Sequence, residues 1–397
     1  MVRHQTPDGA RLWVYAKRVT GRFQRLHRAS GFVLVAILAV VPWLNIGGQP
    51  VFRIDLPARH LSILGTVFTA ADGFNLVLVA LLAAFSLFFF TALLGRLWCG
   101  WTCPQTVFLE EFVRPVEQIF EGDRRVRMMR DAGGWTFDRA WRKVGKWTAF
   151  AALAFVVSMM VMSIFEDPRL LWTGQGGSAD YMLVGILTAG LFLDWAWFRE
   201  QLCIYLCPYA RFQGALTDDH SLVVSYDEAR GEPRGTGKAA ASEGHCISCN
   251  KCVDVCPQGI DIRDGFQLEC INCSRCVDAC EDVMGKLGQT SLVRYSTHAA
   301  DEGRKTRWVR ARTLAYSAIL LALTGGLTYR VATHSPLEAT VNRMAGSLFI
   351  QDADGFVRNT YMVAVHNTDP TNAHEYTLEV RGLDDAQVTV PSLSLEP

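Results

Sequence analysis

The sequence predicts a multi-domain membrane protein with five transmembrane α-helices, a cysteine-rich insert before the last helix and a C-terminal immunoglobulin-like β domain. Three observations predict this organisation: long apolar blocks, an uneven spread of basic residues and clustered cysteines. Half of the 397 residues are hydrophobic, and about 20 consecutive apolar residues cross a bilayer.

Five blocks are predominantly apolar, and we predict that each spans the membrane: 31–46, 74–94, 147–165, 181–198 and 313–328. The alternative is a set of buried core helices in a soluble protein. The second block, FNLVLVALLAAFSLFFFTALL, argues against this alternative because it has no charged residue and is apolar on every side. We expect the first block to be a retained anchor, since no small-residue cleavage site follows it.

The basic residues predict the orientation of the spans. Thirty-two of the 39 Lys and Arg residues lie in three stretches, 1–29, 96–146 and 199–312, whereas the two loops between hold only Arg53, Arg59 and Arg169. Basic residues near span ends stay in the cytosol. The N-terminus is therefore predicted to be cytosolic and the C-terminus periplasmic. All twelve cysteines then fall on the cytosolic side, where metal-binding or catalytic thiols are favoured over disulfides.

Eight of the cysteines form two closely spaced groups. Their pattern is CxxCxxCxxxCP followed by CxxCxxCxxxC, which is typical of bacterial ferredoxins with two 4Fe-4S clusters. In that arrangement three neighbouring cysteines bind one cluster and the remote fourth binds the other. The predicted ligand sets are Cys246, Cys249, Cys252 and Cys280 for cluster 1, and Cys270, Cys273, Cys276 and Cys256 for cluster 2. A pair of zinc sites is the alternative, but zinc sites usually need only two CxxC pairs.

The other four cysteines form two CxxxCP motifs in LWCGWTCP and LCIYLCP, each after a returning span. This placement indicates an internal two-helix repeat. If helical, each pair would present both sulfurs on one face, but the proline discourages helix at the second cysteine and predicts a turn. The candidate copper or redox thiols are Cys99, Cys103, Cys203 and Cys207. They are predicted to bind Cu(I) or a further cluster, or to pass electrons as a dithiol; buried small hydrophobic residues are the alternative.

Two further features complete the prediction. None of the nine histidines lies inside a predicted span, which argues against a transmembrane haem relay. Beyond residue 330, alternation in FVRNTYMVAVHN, YTLEVRGL and AQVTV predicts strands. These strands are fewer than the roughly seven of a complete immunoglobulin-like sandwich, so we expect an incomplete domain or one completed by a partner.

The predicted domains follow from these assignments. They are a cytosolic basic tail (1–30), a four-span membrane domain with both CxxxCP motifs (31–216), a cytosolic linker and 2×4Fe-4S ferredoxin domain (217–312), the fifth transmembrane helix (313–329) and a periplasmic β-rich domain (330–397).

These residues resemble the CcoG/FixG family of cytochrome c oxidase accessory proteins. The resemblance runs from LHRASGFVL through GRLWCGWTCPQTVFLEEFVRPVEQIFEG, DWAWFREQLCIYLCPYARFQGAL and the ferredoxin cysteines into FVRNTY, covering almost the whole chain. It implies a multi-pass protein of the bacterial inner membrane that assembles the cbb(3)-type oxidase and reduces Cu(II) to Cu(I) for insertion, which would make it a cupric reductase. It also implies that the CxxxCP thiols handle copper or electrons.

The partners expected on this basis are membrane lipid, a cytosolic electron donor, and oxidase subunits or copper chaperones and transporters; no nucleic acid is expected. The expected cofactors are two 4Fe-4S clusters, with copper as a further metal. Two alternatives stay open. One is an electron-transfer subunit related to quinol-linked membrane ferredoxins such as NapH, and the other is a non-enzymatic assembly scaffold.

Overall fold

The computed structural model describes most of the chain, apart from the N-terminal ten residues and short stretches elsewhere. The described residues are 11–57, 60–68, 73–235, 244–333, 337–344, 349–351, 355, 357–367, 373–382, 388 and 392–395. Parts of two sequence predictions lie outside these residues, namely residues 236–243 of the predicted cytosolic linker and most of the AQVTV strand.

Fifteen α-helices occur in the described residues. In chain order they are α1 Arg22–Val40, α2 Gly73–Leu94, α3 Leu97–Trp101, α4 Pro104–Phe108, α5 Arg114–Glu121, α6 Arg124–Ala132, α7 Phe137–Met162, α8 Pro168–Trp172, α9 Ser178–Leu193, α10 Pro208–Leu216, α11 Glu228–Gly231, α12 Lys251–Asp254, α13 Arg275–Lys286, α14 His298–Asp301 and α15 Ala311–Ala332. Three π-helical segments interrupt them, Leu109–Val113, Asp194–Phe198 and Leu202–Leu206.

The strands of the described residues are short. They are β1 Asn45–Ile46, β2 Gln49–Pro50, β3 Phe52–Asp55, β4 His60–Ile63, β5 Thr66–Phe68, β6 Val223–Tyr226, β7 Val293–Ser296, β8 Leu337–Arg343, β9 Ile350–Gln351, β10 Val357–Arg358, β11 Tyr361–Asn367, β12 His374–Thr377 and β13 Ser392–Leu395.

Four helical segments are long and apolar enough to cross a membrane: Arg22–Trp43, Gly73–Leu94, Phe137–Met162 and Ser178–Phe198. The fifth predicted span is a 22-residue helix, α15, but it does not meet the same criterion of length and apolarity within the described residues. Between 11% and 33% of the residues in the most apolar part of each segment are buried inside the protein, as expected where lipid replaces water as the surrounding solvent.

The first helix begins at Arg22, nine residues before the predicted start of the membrane domain at residue 31. The apolar block alone gave the later boundary. Asp278 of α13 accepts hydrogen bonds from the backbone N–H groups of Phe23 and Gln24, and a carboxylate at this position stabilises a helix N-terminus. This cap comes from a distant part of the chain, so the local pattern did not predict it.

The helices form two groups. Helices α7 and α9 pack together with the π-helix Leu109–Val113, and their core includes the fully buried Phe150 and Trp195. Helix α15 packs antiparallel to α2. At one end of the pair Arg310 donates to the carbonyl oxygen of Ala92, and at the other end Arg330 Nε lies 3.2 Å from Asn75 Oδ1.

The two loops that the sequence places on the outer side meet each other. Strands β3, β4 and β5 form an antiparallel sheet that the sequence analysis did not predict. The backbone N–H of Ile54 in β3 donates to the carbonyl oxygen of Ile164 after α7, and Arg53 pairs with Asp167 at 3.2 Å. These two loops therefore lie on the same face of the helices.

The cysteine-rich insert packs on the opposite face, which we call the insert side. Strands β6 and β7 pair in antiparallel register and bring both ends of the insert together. At its start, the backbone N–H of Leu222 donates to the carbonyl oxygen of Leu93 at the end of α2. The core of the insert packs Val224, Val277 and Leu292 between the sheet and α13.

The C-terminal strands pair in three antiparallel two-stranded units, of which β8 with β11 is the longest. Strand β11 lies within the predicted FVRNTYMVAVHN segment, whereas β12 overlaps the predicted YTLEVRGL segment only at Tyr376 and Thr377.

Candidate iron–sulfur and thiol site

The eight ferredoxin cysteines line two adjoining cavities in the insert. One cavity is lined by Cys246, Cys249, Cys252 and Cys280. The other is lined by Cys256, Cys270, Cys273 and Cys276, and Cys252 also borders it. These two sets coincide with the predicted ligand sets. Their role as cluster ligands remains a prediction.

The backbone around the central cysteine of each group turns in the same unusual way. Ser248 and Asn250 flank Cys249 with φ of +53° and +57°, and Asn272 and Ser274 flank Cys273 with φ of +54° and +61°. Few non-glycine residues adopt this left-handed region. Alternation of right- and left-handed residues points successive N–H groups into one concavity, a geometry found at many iron–sulfur sites. The backbone therefore fits a 4Fe-4S cluster.

Burial controls the ionisation of these thiols. Burial raises the pKa of Cys256 to about 12, although backbone N–H groups of Ile260 and Gln258 donate to its sulfur and act in the opposite direction. Burial likewise raises the pKa of Cys273 to about 12, against the charge of Arg275. The metal-free thiols are thus protonated at neutral pH, and binding of a metal cluster must displace their protons.

The CxxxCP motifs adopt matching turns. Cys103 has extended backbone (φ −60°, ψ 125°) directly before α4, and Cys207 has nearly the same conformation (φ −68°, ψ 113°) directly before α10. In each case the proline is the first helical residue, which suits its fixed φ. The predicted turn at the second cysteine is confirmed at both motifs.

The four CxxxCP thiols come close to one another across the two repeats. Burial and then the nearby thiols of Cys103, Cys99 and Cys207 raise the pKa of Cys203. Gln213, buried in the second repeat, donates from Nε2 to the sulfur of Cys99 at 3.1 Å. The repeats therefore bring the predicted redox thiols together.

The first CxxxCP turn presses directly on the cluster 2 loop. A Cβ atom added at Gly100 would lie 3.0 Å from the backbone N of Cys273 and closer still to the carbonyl oxygen of Ile271. Trp101 Nε1 donates to the Asn272 carbonyl oxygen at 3.3 Å. Only a residue without a side chain allows this approach, so the thiol quartet and the second ferredoxin group lie next to each other.

Buried charges also connect the ferredoxin groups to the π-helix Leu109–Val113 and to α5. Arg275, between Cys273 and Cys276, places Nη1 2.7 Å from Glu110 Oε2 of the π-helix. Arg114 donates from Nη2 to the carbonyl oxygen of Pro257, the residue after Cys256. Buried charges of this kind are stabilising only when they are paired and hydrogen-bonded, and here the pairs tie the insert to the membrane domain.

Several residues of this site were not identified from the sequence. His27 is buried within the first helix, with Nδ1 3.0 Å from Glu111 Oε1 and Nε2 against the Gly100 carbonyl oxygen. The prediction that no histidine lies inside a span is therefore wrong for the helix as observed. The adjacent carboxylates Glu110 and Glu111 in the otherwise apolar FLEEFV were the available signal.

The donor geometry favours clusters over single ions. Within the described residues, no group of three or more His, Cys, Asp or Glu side chains is close enough to hold one metal ion. A single ion needs its sulfur ligands about 2.3 Å from one point, whereas a 4Fe-4S cube holds its four cysteines at separate iron atoms. The described residues therefore show no preformed single-ion site of this kind.

Family models match three parts of the chain. A model described as a 4Fe-4S dicluster domain matches residues 198–298, and a 4Fe-4S binding domain matches residues 76–120. An Ig-like fold at the C-terminal of FixG matches residues 327–397.

Curated relatives match along most of the chain. Nitrogen fixation protein FixG of Rhizobium meliloti is 34% identical over 95% of this chain and 80% of the relative. Protein RdxB of Cereibacter sphaeroides is 35% identical over 96% of this chain and 86% of the relative. Protein RdxA of the same organism is 31% identical over 89% and 79%. No solved structure matches the chain.

Proposed function

The chain belongs to the FixG family, and from this premise we propose that it reduces Cu(II) to Cu(I) for the assembly of a cbb(3)-type cytochrome c oxidase. The coarser activity, iron–sulfur electron transfer in a membrane protein, follows from its 4Fe-4S domains and apolar helices. The proposal adds the copper step and the oxidase, both of which the resemblance of the sequence to the CcoG/FixG accessory proteins supports.

The eight ferredoxin cysteines would hold the two clusters, each of which supplies one-electron redox chemistry when bound. Cys249 of the first group is exposed to solvent, whereas the second group faces the CxxxCP turn at Gly100. An electron from a cytosolic donor would therefore enter near Cys249 and leave towards Cys99 and Cys103.

The contact between Gly100 and the Ile271–Cys273 backbone is the observation that best supports this route. It leaves no layer of side chains between the cluster 2 loop and the CxxxCP turn. Soft thiolates favour Cu(I) over harder ions. Copper is the substrate at these thiols, and each Cu(II) takes up one electron to become Cu(I).

We further propose five spans with a cytosolic N-terminus and a periplasmic C-terminus. Helix α15 runs antiparallel to α2 with its ends level with those of α2, as the Arg310–Ala92 and Arg330–Asn75 contacts indicate. A helix that matches a membrane-spanning neighbour in length occupies the same depth. The abundance of Lys and Arg on the insert side supports the cytosolic location of that side.

A stopped-flow experiment tests the copper step. In it, the reduced, anaerobically purified protein is mixed with Cu(II). We expect Cu(II) to reoxidise the clusters while a Cu(I)-specific chelator reports one Cu(I) for each electron lost. Cys99→Ser and Cys203→Ser should slow this reoxidation at least about tenfold. Thr102→Ala is the matched control, because Thr102 lies within the same motif and its hydroxyl donates only to the Trp98 carbonyl oxygen.

Two results would contradict the proposal. Equal rates in Cys99→Ser and wild type would remove the thiols from the route. Normal oxidase maturation in cells that carry both serine variants would instead favour the scaffold role.

A further inference from the structure

A cavity of about 600 Å³ lies beside the second ferredoxin group, and the copper route does not use it. Its walls come from the N-terminal segment, from the first turns of α1, from the π-helix with α5, and from the cysteine loop. Its volume falls within the range of small-molecule sites, about 300–1,000 Å³.

The polar wall offers both hydrogen-bond donors and acceptors. Three residues that line the cavity each carry a buried polar atom that has no hydrogen-bond partner among the described residues: Gln24 Oε1, Arg114 Nη1 and Arg275 Nε. Each of these residues is more than nine-tenths buried. The lining side chains include guanidinium donors together with carboxylate and amide groups, so the wall suits a ligand that both donates and accepts hydrogen bonds.

The opposite wall is apolar and faces outward at the level where α1 enters its apolar stretch. Phe32 of α1 and Ile119 of α5 line the cavity, and they are 52% and 76% exposed. The π-helix Leu109–Val113 forms part of the polar wall through Glu110 and Glu111. Such π-helical insertions frequently occur at functional sites.

The cavity borders the second ferredoxin group through Arg275. Arg275 lines it and stands between Cys273 and Cys276 in the sequence. Its guanidinium contacts Glu110 at 2.7 Å. An occupant would thus lie one side chain away from the cluster 2 ligands.

We propose that this cavity binds the head group of a membrane quinone and lets it exchange electrons with the cluster 2 site. The ring oxygens accept hydrogen bonds as a quinone and donate them as a quinol, which matches the mixed polar wall. The apolar tail leaves past Phe32 and Ile119 into the lipid. Reduction of the quinone would need two electrons, which the two clusters would supply, one each, when bound, and two protons from water at the cavity mouth; oxidation of the quinol would reverse both transfers.

A phospholipid head group fits the cavity less well. A phosphate group only accepts hydrogen bonds, so it would not pair with the acceptor groups of the wall. It would also meet the carboxylates of Glu110 and Glu111 in the same wall. The quinone proposal rests on the two clusters of the proposed function but not on the copper step.

An inhibitor-binding experiment tests the site without any turnover. The fluorescent quinone-site inhibitor 2-heptyl-4-hydroxyquinoline N-oxide is titrated into the full-length protein in detergent. We expect saturable quenching in the wild type and at least about tenfold weaker binding in Gln118→Trp, which fills the cavity, and in Arg28→Gln, which alters its exposed rim. Met129→Trp and Arg25→Gln are the matched controls, since both positions are exposed and neither lines the cavity.

Reoxidation of the reduced clusters by ubiquinone-1 should slow in the same two variants and not in the controls. Wild-type protein without saturable quenching, or equal binding in Gln118→Trp, would overturn the proposal. A phospholipid retained by the wild type and lost from Arg28→Gln in native mass spectrometry, without inhibitor binding, would also overturn it. Reoxidation by Cu(II), measured in the same preparation, shows separately whether the copper step stands.

Discussion

At the scale of single residues, the insert side is held together by buried ion pairs whose partners come from distant parts of the chain. Glu117 of α5 is the clearest case. Its carboxylate contacts Arg127 at 2.7 Å, Arg199 at 3.1 Å and Lys146 at 3.7 Å. Burial alone would raise the pKa of Glu117, but the charge of Arg199 and the other cations outweigh burial and lower the pKa to about 2.

Glu117→Gln should therefore destabilise the protein strongly, because three cations lose their shared counter-charge. The loss of one partner from a buried pair costs ~3–5 kcal/mol. Thermal unfolding followed by intrinsic fluorescence should show a large fall in Tm. Asp138→Asn is the matched control, since it removes an exposed carboxylate paired with Arg142, a contact worth about 0–1 kcal/mol.

The difference in Tm between wild type and Glu117→Gln should depend on pH. The folded-state pKa of Glu117 is below its ordinary value of 4.5, so its contribution is complete above that value and declines as the pH falls towards about 2. The Tm difference between wild type and Glu117→Gln should narrow across this range. A difference that stays constant or widens on acidification would show that Glu117 is not ionised in the folded protein.

The close contact of Gly100 with the cluster 2 loop leads to a second prediction for a single residue. Gly100→Ala places a methyl group against the Ile271–Cys273 backbone, and overpacking of this kind costs ~1–3 kcal/mol. We expect a lower iron content in anaerobically purified Gly100→Ala and slower electron transfer to Cu(II). Gly134→Ala should match the wild type, because no atom lies within 4 Å of a Cβ at that position. Unchanged iron content and rate in Gly100→Ala would disprove the proposed contact route.

At the scale of elements, the sequence predicted the turns and helices that depend on neighbouring residues. It did not predict the contacts that depend on residues far away in the chain. The proline turns at Cys103 and Cys207 follow from the adjacent prolines and were predicted correctly. Pro115 lies in the first turn of α5, directly after the π-helix Leu109–Val113. The π-helix packs against α7 and α9 and pairs with Arg275 of the insert, and a sequence window around it contains neither partner.

The cap of α1 by Asp278 is a testable case of such a distant contact. Asp278→Ala removes the acceptor of two backbone N–H groups, which should lower stability by about 0.5–2 kcal/mol. It should also increase cleavage of the insert by a protease, because this cap docks the insert on the membrane domain. Asp282→Ala, one helical turn later and exposed, should change neither measurement. Equal protease sensitivity of both variants would show that the cap does not hold the insert.

At the scale of the whole molecule, the apolar blocks predicted the four helices that are long and apolar enough to cross a membrane, and the spread of basic residues predicted which segments share a side. The contact of Ile54 with Ile164 places both outer loops on one face, as expected. The small sheet β3–β5 in the first of these loops was missed because its strands are only three or four residues long. The grouping of the cysteines followed from their spacing, whereas the contact between the insert and Gly100 depends on tertiary packing alone.

Reporter fusions test the proposed five-span topology. Alkaline phosphatase should be active when fused after Gln175 in the second outer loop and after Val380 in the C-terminal domain, and green fluorescent protein should be fluorescent after Gly134. Active phosphatase after Gln175 but not after Val380 would show that α15 does not cross the membrane.

The two ferredoxin groups are proposed to hold a pair of 4Fe-4S clusters next to the CxxxCP thiols, and this arrangement underlies both redox proposals. Its most direct test is the iron and acid-labile sulfide content of protein purified without oxygen, together with the EPR spectrum after reduction. We expect about eight irons and eight sulfides per chain, with one of two spectral components lost in Cys280→Ser. Zinc in place of iron, with no acid-labile sulfide, would contradict the account.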